Sequence, residues 1–429
     1  MTDGRNLPEA RLRRLASLAR VGARTGVGLL VQRDLKSVTD QAAGVLGNLR
    51  GLAAKLGQMA SYVDGLVPEQ HRAAFEASMS QLQRAAASSP PEAVRAVIEE
   101  ELCQPLDRLF EHFEEEPFAS ASIGQVHRAR LFDGSAVAVK VQHPGIDRAL
   151  QNDLTNVGLI EGLVAVAGAR KLDSRRIYEE VKARFLEELD YRIEAANQRR
   201  FSAIHAGDPQ VCIPAVIDSH SSERVLTSEL VTGDVLEVAA TRSEQERAAY
   251  CRTLWRFVFK GNLLGGMFNA DPHPGNYLFH ADGRVTFLDF GCVQPILPAN
   301  RALSREIHLA ALDRDEQRFA AAVKRLLRTQ GGAFERFVVS YTRRCFEPLF
   351  GSPFRLTRAY AADLVQGLHA AKKELLFSRD ARLVPPPPGL VLMNRLQAGF
   401  YSVLARFDAE VDYAQVERDF LVGALDPPP

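Results

Sequence analysis

Among its 429 residues the chain has a single tryptophan, five cysteines and only nine lysines. The cysteines (Cys103, Cys212, Cys251, Cys292 and Cys345) are scattered with no close pair. That argues against a zinc knuckle and a disulfide framework, and fits a reducing compartment. Net charge is also missing: 53 basic residues balance 53 acidic ones. The basic excess of a nucleic-acid binder is therefore absent, and no nucleic-acid partner is expected. No apolar run approaches the roughly 20 residues of a membrane span. Gly28-Leu29-Leu30-Val31 is too short for a signal segment and is flanked by charges. A soluble cytoplasmic protein is the expectation, with peripheral contact at the inner face of a membrane left open.

What is present suits a globular chain of two or three domain-sized units, since 46% of residues are hydrophobic. The first 85 or so residues read as helical. Arg11, Arg13, Arg14, Arg20 and Arg24 stud this stretch. They read as a solvated helix face, with an anionic membrane surface as the alternative partner. Ser88 to Pro91 breaks the chain, and a helix resumes at Glu92. From Phe118 the pattern changes. Ile123 to Arg130 and Ser135 to Gln142 are strand-like and meet across Asp133-Gly134, a hairpin signal. Asp173 or Ser174 can cap a long helix carrying Ile177, Val181, Phe185, Leu189 and Ile193 on one face. Val225 to Val231 is another strand. The remainder is mostly helical, apart from a second hairpin in which Tyr277 to Phe279 and Val285 to Leu288 flank Asp282-Gly283. Pro385 to Pro388 form a stiff spacer. Strands early and helices late predict a two-lobed α+β architecture with a helical N-terminal addition.

Four short segments carry the chemistry. Asp271 and Asn276 lie five positions apart, Asp289-Phe290-Gly291 begins thirteen residues later, and Val137-Ala138-Val139-Lys140 lies upstream. A phosphoryl-transfer site needs an Asp near the attacking group, an Asn and a second Asp on Mg²⁺, and a Lys on the phosphates. Asp271 is the candidate base or orienting carboxylate. Asn276 and Asp289 offer hard oxygens to Mg²⁺. Lys140 stands out in a chain with forty-four arginines, because a compact ammonium suits phosphate oxygens where a planar fork does not. The segment Ala119-Ser120-Ala121-Ser122-Ile123-Gly124-Gln125-Val126 occupies the place of a phosphate loop. Its alanines cannot adopt the positive φ open to glycine, so the backbone must cover a nucleotide differently. Ser120 and Ser122 have hydroxyls to offer phosphate. Glu229 and Val231, late in the third strand, join the expected nucleotide contacts. Glu194 lies beside the apolar stripe and can reach Lys140, whereas Glu188 and Asp190 point elsewhere. For these three the plainer reading is solvated helix carboxylates. His273, between two prolines, reads as structural, and Cys292 as a small buried side chain. Lys55, Gln58 and Tyr62 share a helix face, which alone says only that an amphipathic helix packs there.

Together, Lys55-Leu56-Gly57-Gln58, the Ala119 to His127 segment, Val137 to Lys140, Glu188-Leu189-Asp190 with Glu194, Asp271 to Asn276 and Asp289 to Gly291 resemble the UbiB (AarF-type) atypical kinase-like family. The likeness runs from about residue 20 to about residue 300, with a weaker echo near Met393-Asn394-Arg395. The resemblance implies a protein-kinase-like fold that binds and hydrolyses ATP, or holds ADP, with Mg²⁺. It implies a role in ubiquinone or other isoprenoid-lipid metabolism, with an isoprenoid lipid or quinone precursor as partner. Residues 1–115 would form the helical extension, 116–232 an N lobe and 233–429 a C lobe with a helical tail. Lys55 and Gln58 would lie over the active site and exclude protein substrates, with Glu188 and Asp190 near them as regulatory residues. Lys140 and Glu194 would pair, Asp271 would be the catalytic-loop Asp, and Asn276 and Asp289 the metal ligands. Ser120 replaces an alanine of many relatives, and the membrane anchor many of them carry at the C-terminus is not expected here. Two other readings stand beside this one. One is a small-molecule phosphotransferase of the aminoglycoside or choline type, whose catalytic loop is similar. The other is a non-catalytic scaffold that binds nucleotide and lipid.

Overall fold

The computed structural model describes residues 89–121, 123–147, 186–377 and 390–421. Several expectations lie outside these residues: the N-terminal helices with Lys55, Gln58 and Tyr62, the arginine-studded start, Ser122, the positions Ile177, Val181 and Phe185, and the proline spacer. The chain forms two compact units. One comprises Met1–Arg192 with Ile217–Ser228, the other Ile193–Val216 with Glu229–Pro429. The described strands, in chain order, are β1 (His112–Phe113), β2 (Ala119–Ser120), β3 (Gly124–Arg130), β4 (Ala136–Gln142), β5 (Val211–Cys212), β6 (Val225–Glu229), β7 (Met267–Asn269), β8 (Tyr277–Phe279), β9 (Val285–Phe287), β10 (Val293–Pro295), β11 (Phe354–Arg355) and β12 (Glu410–Val411).

The first unit is built on a sheet of order β1-β3-β4-β6, with β2 also paired to β3. The expected hairpin is present. Gly134 turns the chain with φ +87°, and Asp133 Oδ1 accepts from the Ser135 amide at 2.8 Å. Along β4 the side chains alternate as the pleat requires. Val137, Val139 and Val141 are fully buried, while Ala138 and Lys140 take the opposite face. The valines pack with Val94, Val97 and Ile98 of helix α1 (Pro91–Leu102). That i, i+3, i+4 spacing is the buried stripe of an amphipathic helix. Each such side chain stabilises the unit by about 1.5–3 kcal/mol relative to exposure. Pro91 opens α1, where its fixed φ fits and its missing N–H is not needed.

The expected unbroken helix through Leu189 and Ile193 is interrupted. Helix α2 (Tyr191–Ile204) starts afresh after Asp190. Gln142, 1% exposed, donates from Nε2 to the Leu189 carbonyl at 2.8 Å. Asp190 Oδ1 accepts from the Arg192 amide at 3.0 Å, as an N-capping side chain does. A buried strand amide that needs an acceptor, and an Asp that competes for backbone N–H groups, override the apolar spacing. Ile193 is consequently 39% exposed rather than part of a buried stripe. Glu188 and Glu194 therefore do not share one continuous helix, which corrects that expectation.

In the second unit, helix α3 (Glu244–Lys260) begins with a capping box. The Ser243 hydroxyl accepts from the Glu246 amide, and the Glu246 carboxylate accepts from the Ser243 amide at 3.1 Å. Its Tyr250, Leu254, Trp255 and Phe257 anchor one large core. After a π-helical turn at Gly261–Gly265, two small sheets follow. β7 pairs antiparallel with β10, and β8 antiparallel with β9 across the second expected hairpin, where Gly283 has φ +86°. The sheets place two loops side by side: Ala270 to Asn276 joins β7 to β8, and Leu288 to Cys292 joins β9 to β10. Helices α4 (Pro298–Leu312), α5 (Leu390–Phe407) and α6 (Tyr413–Leu421) pack into the same core, as do the helices between α4 and α5. Among the described residues no helix is long and apolar enough to cross a membrane.

Candidate active site

The two adjoining loops of the second unit are tied by a chain of side-chain hydrogen bonds. Asn276 Nδ2 donates to Asp271 Oδ2 at 3.1 Å and to the Asp271 carbonyl at 3.2 Å. The Asp271 amide donates to Asn269 Oδ1 at 3.1 Å. Asn269 Nδ2 donates in turn to the Asp289 carbonyl at 2.5 Å. Asp289 Oδ1 accepts from the Gly291 amide at 2.9 Å. Backbone bonds close the arrangement: Leu288 N–H to Asn276 O at 3.0 Å, and Ala270 N–H to Cys292 O at 2.7 Å. The register that pairs Asn269 with Val293 makes this closure possible. Phe290 is fully buried against Phe201 and Phe257, with ring centroids 5.3 Å and 6.4 Å away, which anchors the loop between Asp289 and Gly291.

Glu194, 5% exposed on α2, reaches the same place. A Cβ added to Gly291 would meet Asp289 Oδ1 at 3.4 Å and Glu194 Oε2 at 3.5 Å, so both carboxylates flank that glycine. One turn further along α2, Asn197 Nδ2 donates to the Phe290 carbonyl at 3.2 Å. Asn269 and Asn197 escaped the sequence reading. The only signals were their offsets, two residues before Asp271 and three after Glu194. His273 is structural as expected: its Nδ1 accepts from the Gly275 amide at 3.1 Å. Cys292 is half-buried rather than buried, and its carbonyl accepts from the Ala270 amide.

The donor set suits a hard cation. Because the Asn276 amide nitrogen is engaged by Asp271, the orientation of its carbonyl oxygen is set, and Asp289 adds a carboxylate. Mg²⁺ typically takes one or two protein oxygens together with phosphate oxygens and water. No group of three His, Cys, Asp or Glu side chains gathers as a metal cage among the described residues.

In the first unit, the described residues of the expected phosphate loop pair as antiparallel strands. Ala119 and Ser120 form β2, the Ala121 amide donates to the Gly124 carbonyl at 2.9 Å, and β3 follows. The register sets Ala119 opposite Val126 and Val126 opposite Lys140. Cross-strand partners share a face, so these three form a row beside Ala138. Ile123 and Gln125 instead point inward, 3% and 2% exposed. Gln125 Oε1 accepts from the Ser89 amide at 2.8 Å, and its Nε2 lies 2.9 Å from His127 Nε2. Gly124 is required by close approach. A Cβ there would overlap the Val141 carbonyl oxygen and come within 2.8 Å of Tyr191 Oη. The Lys140 ammonium lies 5.0 Å from the centre of the Tyr191 ring. Asp190 is held below the usual carboxylate range by its hydrogen bonds to Arg192, which also reaches Glu223 at 2.9 Å. Glu188 is half-buried.

Glu229 and Val231 border a groove of about 400 Å³ in the second unit, shared with His205, Cys212, His280 and Thr286. The Glu229 side chain accepts from the Ala215 amide at 3.0 Å. Burial pushes His205 down to about 3, which keeps its ring neutral at physiological pH.

The α+β fold and this pattern of acid and amide side chains define a protein of the kinase-like class. Residues 81–323 match the model of the ABC1 atypical kinase-like domain. The chain is 30% identical to the mitochondrial atypical kinase COQ8B of Rattus norvegicus, over 97% of its own length and 81% of that protein's. It is 34% identical to the uncharacterized protein sll0005 of Synechocystis, covering 64% of this chain but only 40% of that one. A solved structure of Rv3197 from Mycobacterium tuberculosis in complex with erythromycin matches 92% of this chain and 98% of its own, with a TM-score of 0.63 and 27% identity. The chain belongs to the ABC1, or UbiB, family of atypical kinase-like proteins.

Proposed function

We propose that the chain is an atypical kinase-like ATPase that binds Mg-ATP and serves ubiquinone or other isoprenoid-lipid metabolism. The observation that carries this reading is the hydrogen-bonded chain Asn276–Asp271–Asn269–Asp289. It holds Asp271, Asn276 and Asp289 close together, which supports reading them as a catalytic-loop carboxylate and two cation ligands. Phosphoryl transfer asks a protein for positioning and electrostatics above all. In this reading Asp271 orients the attacking oxygen and accepts its proton. Asn276 and Asp289 would hold the metal, which would supply positive charge to the phosphates when bound. By the family resemblance, Lys140 would contact phosphate oxygens and pair with Glu194, and the Ala119 to Val126 segment would cover the nucleotide. Glu229 and Val231 border the base. Lys55 and Gln58, with Glu188 and Asp190, keep peptides out, so generic proteins are not phosphorylated. A peripheral membrane contact through the arginine-rich start stands as the alternative to a solvated helix face. The lipid side of the reading rests on the family resemblance.

Phosphate release by the full chain tests both parts. With ATP, Mg²⁺ should raise release well above a control with EDTA, and liposomes of anionic lipid containing an isoprenoid quinone should raise it further. No Mg-dependent release in any condition contradicts the ATPase reading. Release that liposomes leave unchanged contradicts the lipid reading alone.

A further inference from the structure

Gly399 lies on α5, against the loop that carries Asp271. A Cβ built at this glycine would fall 2.5 Å from Pro272 Cγ, 3.6 Å from its Cβ and 3.7 Å from its Cδ. The first distance is far inside van der Waals contact, and a proline ring, its φ fixed, cannot swing aside as a flexible side chain would. Nor can the helix retreat. Phe400, Tyr401, Val403 and Leu404 are each 3% exposed or less in the core, and Tyr401 Oη donates to the Cys345 carbonyl at 2.7 Å. Pro272 is buried and bonded directly to Asp271. Anything that pushes Pro272 therefore moves the residue whose amide and carboxylate are tied to Asn269 and Asn276.

We propose that Gly399 is a positioning residue: its missing side chain lets α5 seat against Pro272 and set the place of Asp271 in the loop. The proposal rests on the ATPase reading for its kinetic consequence, but not for the contact itself. Gly399→Ala should raise amide exchange across Asp271 to Tyr277 by about tenfold, as local opening becomes easier. It should lower kcat for ATP hydrolysis roughly 10- to 100-fold with KM within about twofold, the pattern of a misplaced catalytic group. Gly367→Ala is the control, because its nearest neighbour, Arg344 Nη1, would be at an ordinary 3.6 Å. It places the same residue in helix Arg358–Phe377 and should change neither quantity. Pro272→Ala supplies the rescue. Without the ring, the nearest remaining atom is the Cβ at 3.6 Å, so adding Gly399→Ala to that background should cost no further activity.

Unchanged exchange in Gly399→Ala overturns the proposal whatever the turnover. So does an equal loss of activity from Gly399→Ala with and without the Pro272 ring, or a rise in KM at constant kcat. Raised exchange in a protein whose wild type releases no phosphate upholds the contact and overturns the ATPase reading.

Discussion

Asp289→Asn is expected to leave the protein folded and to remove most of its Mg-dependent response to nucleotide. The carboxylate oxygen that accepts from Gly291 has an amide counterpart in asparagine, and the Asp289 carbonyl that accepts from Asn269 is kept, so the loop is expected to keep its shape. On the proposed function, the substitution removes negative charge from the cation site. For the wild type, nucleotide at a hundred times its dissociation constant should stabilise the native state by about 2.7 kcal/mol, through binding that the unfolded chain lacks. In the variant that shift should shrink to a small fraction, and turnover should fall about 10²-fold or more, as for other preorganised electrostatic contacts. Thermal unfolding with and without Mg-ADP, beside phosphate release, reads both. A variant that responds to Mg-nucleotide as the wild type does would remove Asp289 from the metal site.

The largest loss of stability is expected far from this site, at Glu417. Its side chain is wholly buried on α6 and accepts from Trp255 Nε1 at 2.9 Å and from His308 Nδ1 at 2.8 Å. It thus ties three helices of the second unit together. Glu417→Ala leaves two buried donors without an acceptor, at roughly 1–3 kcal/mol each, and adds a cavity. The expected cost is about 3–5 kcal/mol by urea unfolding. Glu417→Gln keeps the volume and an acceptor oxygen and should cost clearly less. Equal effects of the two substitutions would show that the hydrogen bonds are not what stabilises the α6 contact.

Local chemistry made part of this molecule legible from sequence. The two Asp-Gly turns announced their hairpins because glycine alone takes φ near +87° without strain. That Asp271, Asn276 and Asp289 come close together was legible because a fixed spacing on two short loops leaves little freedom. The break at Asp190 was not. Apolar spacing through Leu189 and Ile193 describes one helix, and only the fold reveals that Gln142, 47 residues away, claims the Leu189 carbonyl. Asn269 was missed because its role is a bond to the backbone of a residue 20 positions on. Gly399 was missed because a helix glycine signals nothing until the ring it faces is known. Gln125 read as part of a phosphate loop, yet the pleat turns it inward to Ser89 and His127.

On the proposed function, the loops of Asp271 and Asp289 hold Mg-nucleotide. Isothermal titration of ADP into the full chain, with Mg²⁺ and again with EDTA, tests it most directly. Saturable one-site binding is expected with Mg²⁺, and a large loss of affinity when the metal is withdrawn. No binding up to millimolar ADP in either condition, by a protein shown to be folded, would contradict it.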